Sequence, residues 1–379
     1  MEADPHPRSG GDAAPESPVK TRLESLDLVK GIAILGVIHT HTVFWSGMLY
    51  LPDWTRRIVL LMDVPVFFFI SGFLLASGSP QGLPKRALRQ VRSILLPYLL
   101  VGLAALAVST GARVAAHGAQ GFVGLGRSLG TFLRLAPDGP AWELWMVFPG
   151  SIWFFRAYLE TLPLAVLILA TPLRRWLPAW TFIVVAALVL AGTTFVPAGG
   201  TIETDSLRVT LGAVLVLLLG ATFRARLWEG WSLRSSAVLA GIWVAALLGI
   251  LLVECPGKAL DLTYSKFPPT WTYLLINLLL VQLLLVLAVV ERDTGLGRIP
   301  ASVRRCLGWC GRNSFDLFLV QGLVTSLPLH LVGVLRVRGI PVPAIYGAVL
   351  VWNLGLTLAG VWGLGKLRTR WTGTSAASR

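Results

Sequence analysis

Charged side chains are scarce in this 379-residue chain: Asp, Glu, Lys and Arg make up 14% of it, against 55% hydrophobic residues. A water-soluble domain carries about 25% charged residues, so the shortage excludes an ordinary soluble globule. Cysteine is nearly missing too, with only Cys255, Cys306 and Cys310. Three such residues exclude a disulfide-built scaffold, and no histidine or second cysteine pair stands near the last two to complete a zinc site. All three read as packing residues, and no metal is expected. Acids are fewer than bases, 19 against 33, for a formal net charge of +14. That excess suggests nucleic acid only until its distribution is considered.

In place of charge the chain has long apolar runs. Ten of them, at 27–48, 58–77, 94–110, 151–170, 179–197, 207–222, 236–253, 271–290, 314–334 and 342–364, lie near the ~20 residues that cross a bilayer. They predict an all-α fold, a polytopic transmembrane bundle of about ten spans. The first run is no cleavable signal peptide, being too long and lacking a small-residue cleavage site. With the N-terminus inside, most bases fall on inside segments, among them Lys85, Arg86, Arg89, Arg92, Arg304, Arg305 and Lys366. Cytoplasmic loops carry that excess in membrane proteins, so the charge is topological and no nucleic-acid partner is expected. The expected location is the plasma membrane, with multiple passes and both termini cytoplasmic.

Residues 1–21, rich in Pro, Gly, Ala and acid, read as a disordered cytoplasmic arm. Residues 22–370 read as the membrane domain and 371–379 as a flexible tail. The longest connection, about 111–150, is a candidate lid or acceptor platform, with Trp142, Trp145 and Phe148 expected at the outer interface as aromatic anchors.

Ionisable groups inside spans are costly and tend to be functional. In LDLVKGIAILGVIHTHT (26–42), about 100° per residue puts Asp27, Lys30 and His41 on one stripe and turns His39 to the opposite face. His41 stands about 21 Å above Asp27 at 1.5 Å per residue. It is either a buried histidine on a carbonyl or a general base lining a cavity. Asp63, in the next span, lies at matching depth beside Pro65, where a bend is expected. It either sits near the headgroups or orients His41 as a carboxylate orients a catalytic imidazole. Ser71 and Gly72 suit close helix packing.

Arg156 and Glu160, four apart on one helical face, either neutralise one another or serve a polar acceptor. Glu160 therefore joins His41 and Asp63 as a candidate catalytic group, and Arg156 joins Trp153 as a candidate substrate contact. Trp153 either stacks on a sugar ring or anchors the interface. Arg89 and Arg92 share a helical side. They either hold the loop inside or grip a polyphosphate, for which guanidinium forks are suited.

Taken in order, RLESLDLVKGIAILGVIHTH, DVPVFFFISGFLL, RQVRSILLPYLL, SIWFFRAYLE, YSKFPPTWTYLLINLLL and LGWCGRNSFDLFLVQ resemble the acyltransferase-3 family of integral membrane acyltransferases, across most of 22–330. The resemblance implies His41 as the catalytic residue, and Lys30, Arg89 and Arg92 in use of an acyl-coenzyme A donor, most simply acetyl-coenzyme A. It implies O-acylation of a carbohydrate, glycolipid or secondary-metabolite hydroxyl, with membrane lipid around the enzyme. Lys30 departs from the commoner Arg, losing the bidentate fork. Gln321 stands where many members have His, so any role of that His is expected to be absent. The serine-hydrolase-type domain that some members append is missing, which suggests a stand-alone enzyme. Read without the resemblance, the same buried charges also suit a carrier or flippase for a lipid-linked or polar solute.

Overall fold

The computed structural model describes residues 24–60, 64–171, 206–228, 230–253, 271–294 and 299–372. Among these the regular structure is helical, with no strand. In hydrocarbon every backbone N–H and C=O must be paired within its own segment. A run rich in β-branched residues, such as Ile32–Val43 with its modest helix propensity in water, is therefore helical here. The helices are α1 (Glu24–Phe44), α2 (Asp53–Val59), α3 (Pro65–Ala76), α4 (Leu83–His117), α5 (Leu125–Leu133), α6 (Val147–Ser151) and α7 (Trp153–Ala170). They continue with α8 (Ser206–Thr222), α9 (Leu233–Val253), α10 (Trp271–Thr294), α11 (Ala301–Arg312), α12 (Ser314–Val324), α13 (Leu329–Val337) and α14 (Val342–Thr372).

A helix or helix pair stands at nine of the ten predicted spans; 179–197 lies outside the described residues, as do the arm 1–21 and the tail from 373. Length divides the nine. Five stretches are long and apolar enough to cross a membrane: Glu24–Leu49, Leu83–Phe122, Val147–Ala170, Tyr273–Val290 and Val342–Lys366. Helices α12 and α13, bent by 48° at their junction, make a sixth if taken as one span. Pro65–Ala76, Val209–Ala225 and Leu233–Gly249 are apolar but shorter. The chain is thus a helical membrane protein with five or six full-length candidate spans among the described residues. The second predicted span also differs at its start. Pro65 opens α3, a position where its missing N–H costs no helical bond, so it begins a helix rather than bending one.

Lipid tails are as apolar as leucine, so helices associate here by close packing rather than by escape from water. Two contacts show how close. A Cβ on Gly72 of α3 would strike the Leu217 carbonyl of α8, and one on Gly220 would strike the Phe69 carbonyl. Likewise Gly31 of α1 faces the Leu307 carbonyl of α11, and Gly311 faces that of Asp27. Around these contacts Ile34, Phe73, Leu217, Leu285 and Leu317 fill the main apolar cluster.

The long connection after α4 is packed, not loose. Tyr98 donates its hydroxyl proton to the Phe132 carbonyl at 2.8 Å and stacks on the Phe132 ring at 4.5 Å. Phe132 meets Trp142 at 5.6 Å, and Trp142 stacks on Phe148 at 5.3 Å. Trp145 donates Nε1–H to the Ala105 carbonyl at 3.0 Å. Trp142 and Phe148 are therefore a second core, almost fully buried, rather than interfacial anchors. Ring-to-ring packing with a satisfied indole N–H outweighs a place at the headgroups.

Candidate active site

The cavity at the centre of the candidate site begins at Lys30. Its ammonium holds the Asp27 carboxylate at 2.8 Å across one turn of α1, as their spacing predicts, and both are largely buried. Lys30 lines a cavity of about 190 Å3. Helix α3 contributes Ser71 with Phe67, Ile70 and Leu74, and α4 contributes Gln90, Ser93 and Ile94. From α7 come Phe154 and Tyr158, and from α12 Ser314, Phe315 and Phe318. The walls are mostly rings and aliphatics with a few fixed polar groups, the usual make-up of a small-molecule site. One of those groups is held by its neighbour, since Tyr158 donates to Gln90 Oε1 at 3.0 Å.

His41 stands beside Phe318 of the cavity lining. It is 8% exposed, and its ring lies 6.2 Å from that of Phe318, a cavity residue. Lys30 and His41 thus share one side of α1, both directed towards α12, as the stripe argument expects. His39 points elsewhere: its Nε2 meets the Tyr346 hydroxyl of α14 at 2.7 Å. His41 Nδ1 is 2.6 Å from Gln321 Nε2, and the Gln321 oxygen accepts a 3.4 Å bond from Thr325 Oγ1. The amide's two ends give opposite chemistry. With its N–H towards Nδ1, the neutral ring carries its proton on Nε2. With its oxygen accepting Nδ1–H, the basic lone pair is on Nε2. Gln321 Nε2 faces Nδ1 here, the first of these arrangements, and exchanging the two ends of the amide gives the second. The sequence marked it only as a departure from histidine; a polar residue within an apolar run was the available signal, and the structure buries it fully.

Asp63 lies outside the described residues. Thr40 Oγ1 donates to the Val59 carbonyl at 2.9 Å, so α2 is tied to α1 at the level of His41. Arg89 and Arg92 are exposed on α4, one residue before Gln90 and Ser93 of the cavity wall respectively. Their neighbour Arg86 has a structural task, donating to the Leu75 and Ser79 carbonyls at 3.0 and 2.9 Å and so closing the C-terminal end of α3, where carbonyls lack helical partners.

Arg156 and Glu160 pair at 2.8 Å, with side chains 37% and 39% exposed, and Thr210 of α8 donates to the other Glu160 oxygen at 2.8 Å. They line a second, larger cavity of about 630 Å3 with Thr131, Arg134 and Asp138. At 100° per residue, Arg156 and Glu160 lie on the face of α7 opposite Phe154 and Tyr158. Trp153, seven residues before Glu160, shares that second side and packs half-buried against the main apolar cluster. The structure therefore brings Lys30 and His41 to one cavity wall and places Arg156 and Glu160 behind α7. Beside the second cavity, Arg127 meets Asp138 at 2.6 Å and holds that exposed carboxyl below its ordinary range. Among the described residues no three His, Cys, Asp or Glu side chains gather as metal ligands.

Residues 23–362 match the model of the acyltransferase-3 family, described as an acyltransferase domain. Comparison with curated proteins and with solved structures gives no match. A match spanning nearly the whole chain, on a helical bundle whose buried histidine adjoins a lysine-lined cavity, settles the class: the chain belongs to the acyltransferase-3 family, enzymes that transfer acyl groups other than amino-acyl groups.

Proposed function

We propose that the protein is an O-acyltransferase that moves a short acyl group from acyl-coenzyme A to a hydroxyl of a carbohydrate, glycolipid or glycosylated secondary metabolite, with His41 as general base. The observation that carries this reading is the cavity reaching from Lys30 to Phe318, with the His41 ring 6.2 Å from that of Phe318. Arg89 and Arg92 take the donor's phosphates at the cavity's α4 edge, and Lys30 adds a positive charge along the path of the arm. Two arginines suit that task because guanidinium forks pair with phosphate oxygens.

In the reaction, the acceptor oxygen attacks the thioester carbonyl carbon while His41 Nε2 takes the hydroxyl proton. The new C–O bond forms and the C–S bond breaks. The imidazolium then returns its proton to the departing thiolate, giving free coenzyme A and a neutral base. The step uses the carboxamide of Gln321 turned end for end from the placement in which its Nε2 faces Nδ1, so that its oxygen accepts Nδ1–H and the basic lone pair is on His41 Nε2, and Asp63 supplies the negative charge that favours the imidazolium. Base catalysis of this kind contributes about 10²–10⁴-fold. Arg156, Glu160 and Trp153 lie on the far side of α7 and serve a remote part of a large, hydroxyl-rich acceptor. The setting is a plasma-membrane bundle of about ten spans with both termini cytoplasmic, the orientation favoured by its basic loops.

The test is release of free coenzyme A from acetyl-coenzyme A by purified protein in nanodiscs, across glycan and polyketide acceptors, with His41→Ala alongside. Acceptor-dependent release that the substitution abolishes is the expected result. Full activity in His41→Ala rejects the base assignment. Movement of intact solute with no consumption of donor replaces the enzyme reading with that of a carrier.

A further inference from the structure

We propose that Phe318 sets the length of acyl chain the donor site accepts, restricting it to short acyl groups. The inference rests on the reading that the first cavity takes the acyl end of the donor. Phe318 lines that cavity and is 4% exposed. One side of its ring meets the edge of Phe154 at 5.4 Å, while the His41 ring lies 6.2 Å away. Phe154 is itself braced by Phe68 at 5.2 Å. The end wall is therefore a supported stack of rings, and interiors packed this way yield little to an oversized occupant.

Size gives the limit. A buried apolar cavity of about 150 Å3 holds one benzene molecule, so the 190 Å3 here takes about seven or eight heavy atoms on that scale. An acetyl group, its thioester sulfur and the adjoining ethylamine of the donor arm use that space. An octanoyl group would carry six more carbons into the Phe318 ring. Trimming that side chain opens room at the end of the cavity where the acyl group lies, without removing Lys30 or the α4 edge that holds the rest of the donor. Chain length should then change while donor affinity for the common part of the molecule is kept.

The experiment uses the full chain in nanodiscs with acetyl-, butyryl-, hexanoyl- and octanoyl-coenzyme A, measuring thiol release with one responding acceptor. Wild type should lose kcat/KM from butyryl onwards, steeply at hexanoyl and octanoyl. Phe318→Ala and the milder Phe318→Leu should raise the octanoyl-to-acetyl ratio by about tenfold or more, since one methylene in an apolar pocket is worth about 10–200-fold. Phe318→Trp should move the ratio the other way. If a variant is folded but turns over no donor, the ratio of its dissociation constants for the two donors decides in the same sense. An unchanged ratio in Phe318→Leu, or a wild type that uses octanoyl as well as acetyl, overturns the assignment while leaving the donor site standing. No thiol release by wild type with any donor removes the donor reading, and the Phe318 assignment with it.

Discussion

The two cavities lie on opposite faces of α7 and differ in size and in the charge of their walls. The first is small, about 190 Å3, walled by rings and aliphatics, with its polar groups held by neighbours. The second is larger, about 630 Å3, and lined by arginines and acids whose ion pairs are more than a third exposed. An ion pair in contact with water contributes little, whereas a polar group among buried apolar side chains is expensive unless used or satisfied. Substitution should therefore act on the chemistry at the first cavity and on little more than acceptor affinity at the second.

The sharpest way to break that contrast is Gln321→Leu. It keeps the bulk beside His41 and removes the group that orients Nδ1, so kcat should fall by about 10²-fold with the KM for acetyl-coenzyme A held. A fall in affinity without loss of kcat, in steady-state kinetics, would move Gln321 from the base to the donor site. Next is Lys30→Met. It removes the cavity's cation and leaves the Asp27 carboxylate short of its 2.8 Å partner, so the donor KM should rise by about tenfold and the thermal midpoint should drop. Lys30→Arg should preserve both. At the second cavity, Glu160→Gln should raise the acceptor KM a few-fold, about the scale of an exposed pair, with kcat unchanged. A collapse of kcat there would show that the acceptor's reacting hydroxyl is on the wrong side of α7 in our reading.

The smallest effect belongs to Asp138→Asn. Arg127 depresses that carboxyl, so its contribution is present above the ordinary carboxylate pKa and lost as pH falls through the lower folded value. Because the pair is exposed, the midpoint at neutral pH should stay within about 2 °C of wild type, in a thermal scan at pH 7 and pH 3.

Much of this was legible beforehand, and the reasons are local. Helical periodicity alone put Lys30 and His41 on one stripe and turned His39 away, because side-chain direction along a helix follows from 100° per residue. The Asp27–Lys30 pair and the Arg156–Glu160 pair were readable for the same reason. The close-packing role of Gly72 followed from a small residue in an apolar helix. Pro65 was misplaced because a proline inside an apolar run looks alike whether it bends a helix or begins one. Trp142 and Phe148 were assigned to the interface because aromatics at a loop's end suit either place, and only their partners decide.

The sequence by itself determined the class of molecule, its helices and the family, since apolar length, charge scarcity and short motifs are properties of contiguous residues. It also determined which side of each helix its polar groups occupy. What only the tertiary structure decided is which sides face each other. Gln321 lies 280 positions from His41 in the chain and 2.6 Å from it in space. Phe318 closes a cavity opened by residues of four other helices. Arg156 and Glu160, two positions after the cavity's Phe154 and Tyr158, are turned away from it by α7. The physical reason is that a helix orients side chains within itself, whereas the packing of one helix against another depends on where two backbones can touch. Here that is set by glycines such as Gly72, Gly220, Gly31 and Gly311 meeting carbonyls of distant segments.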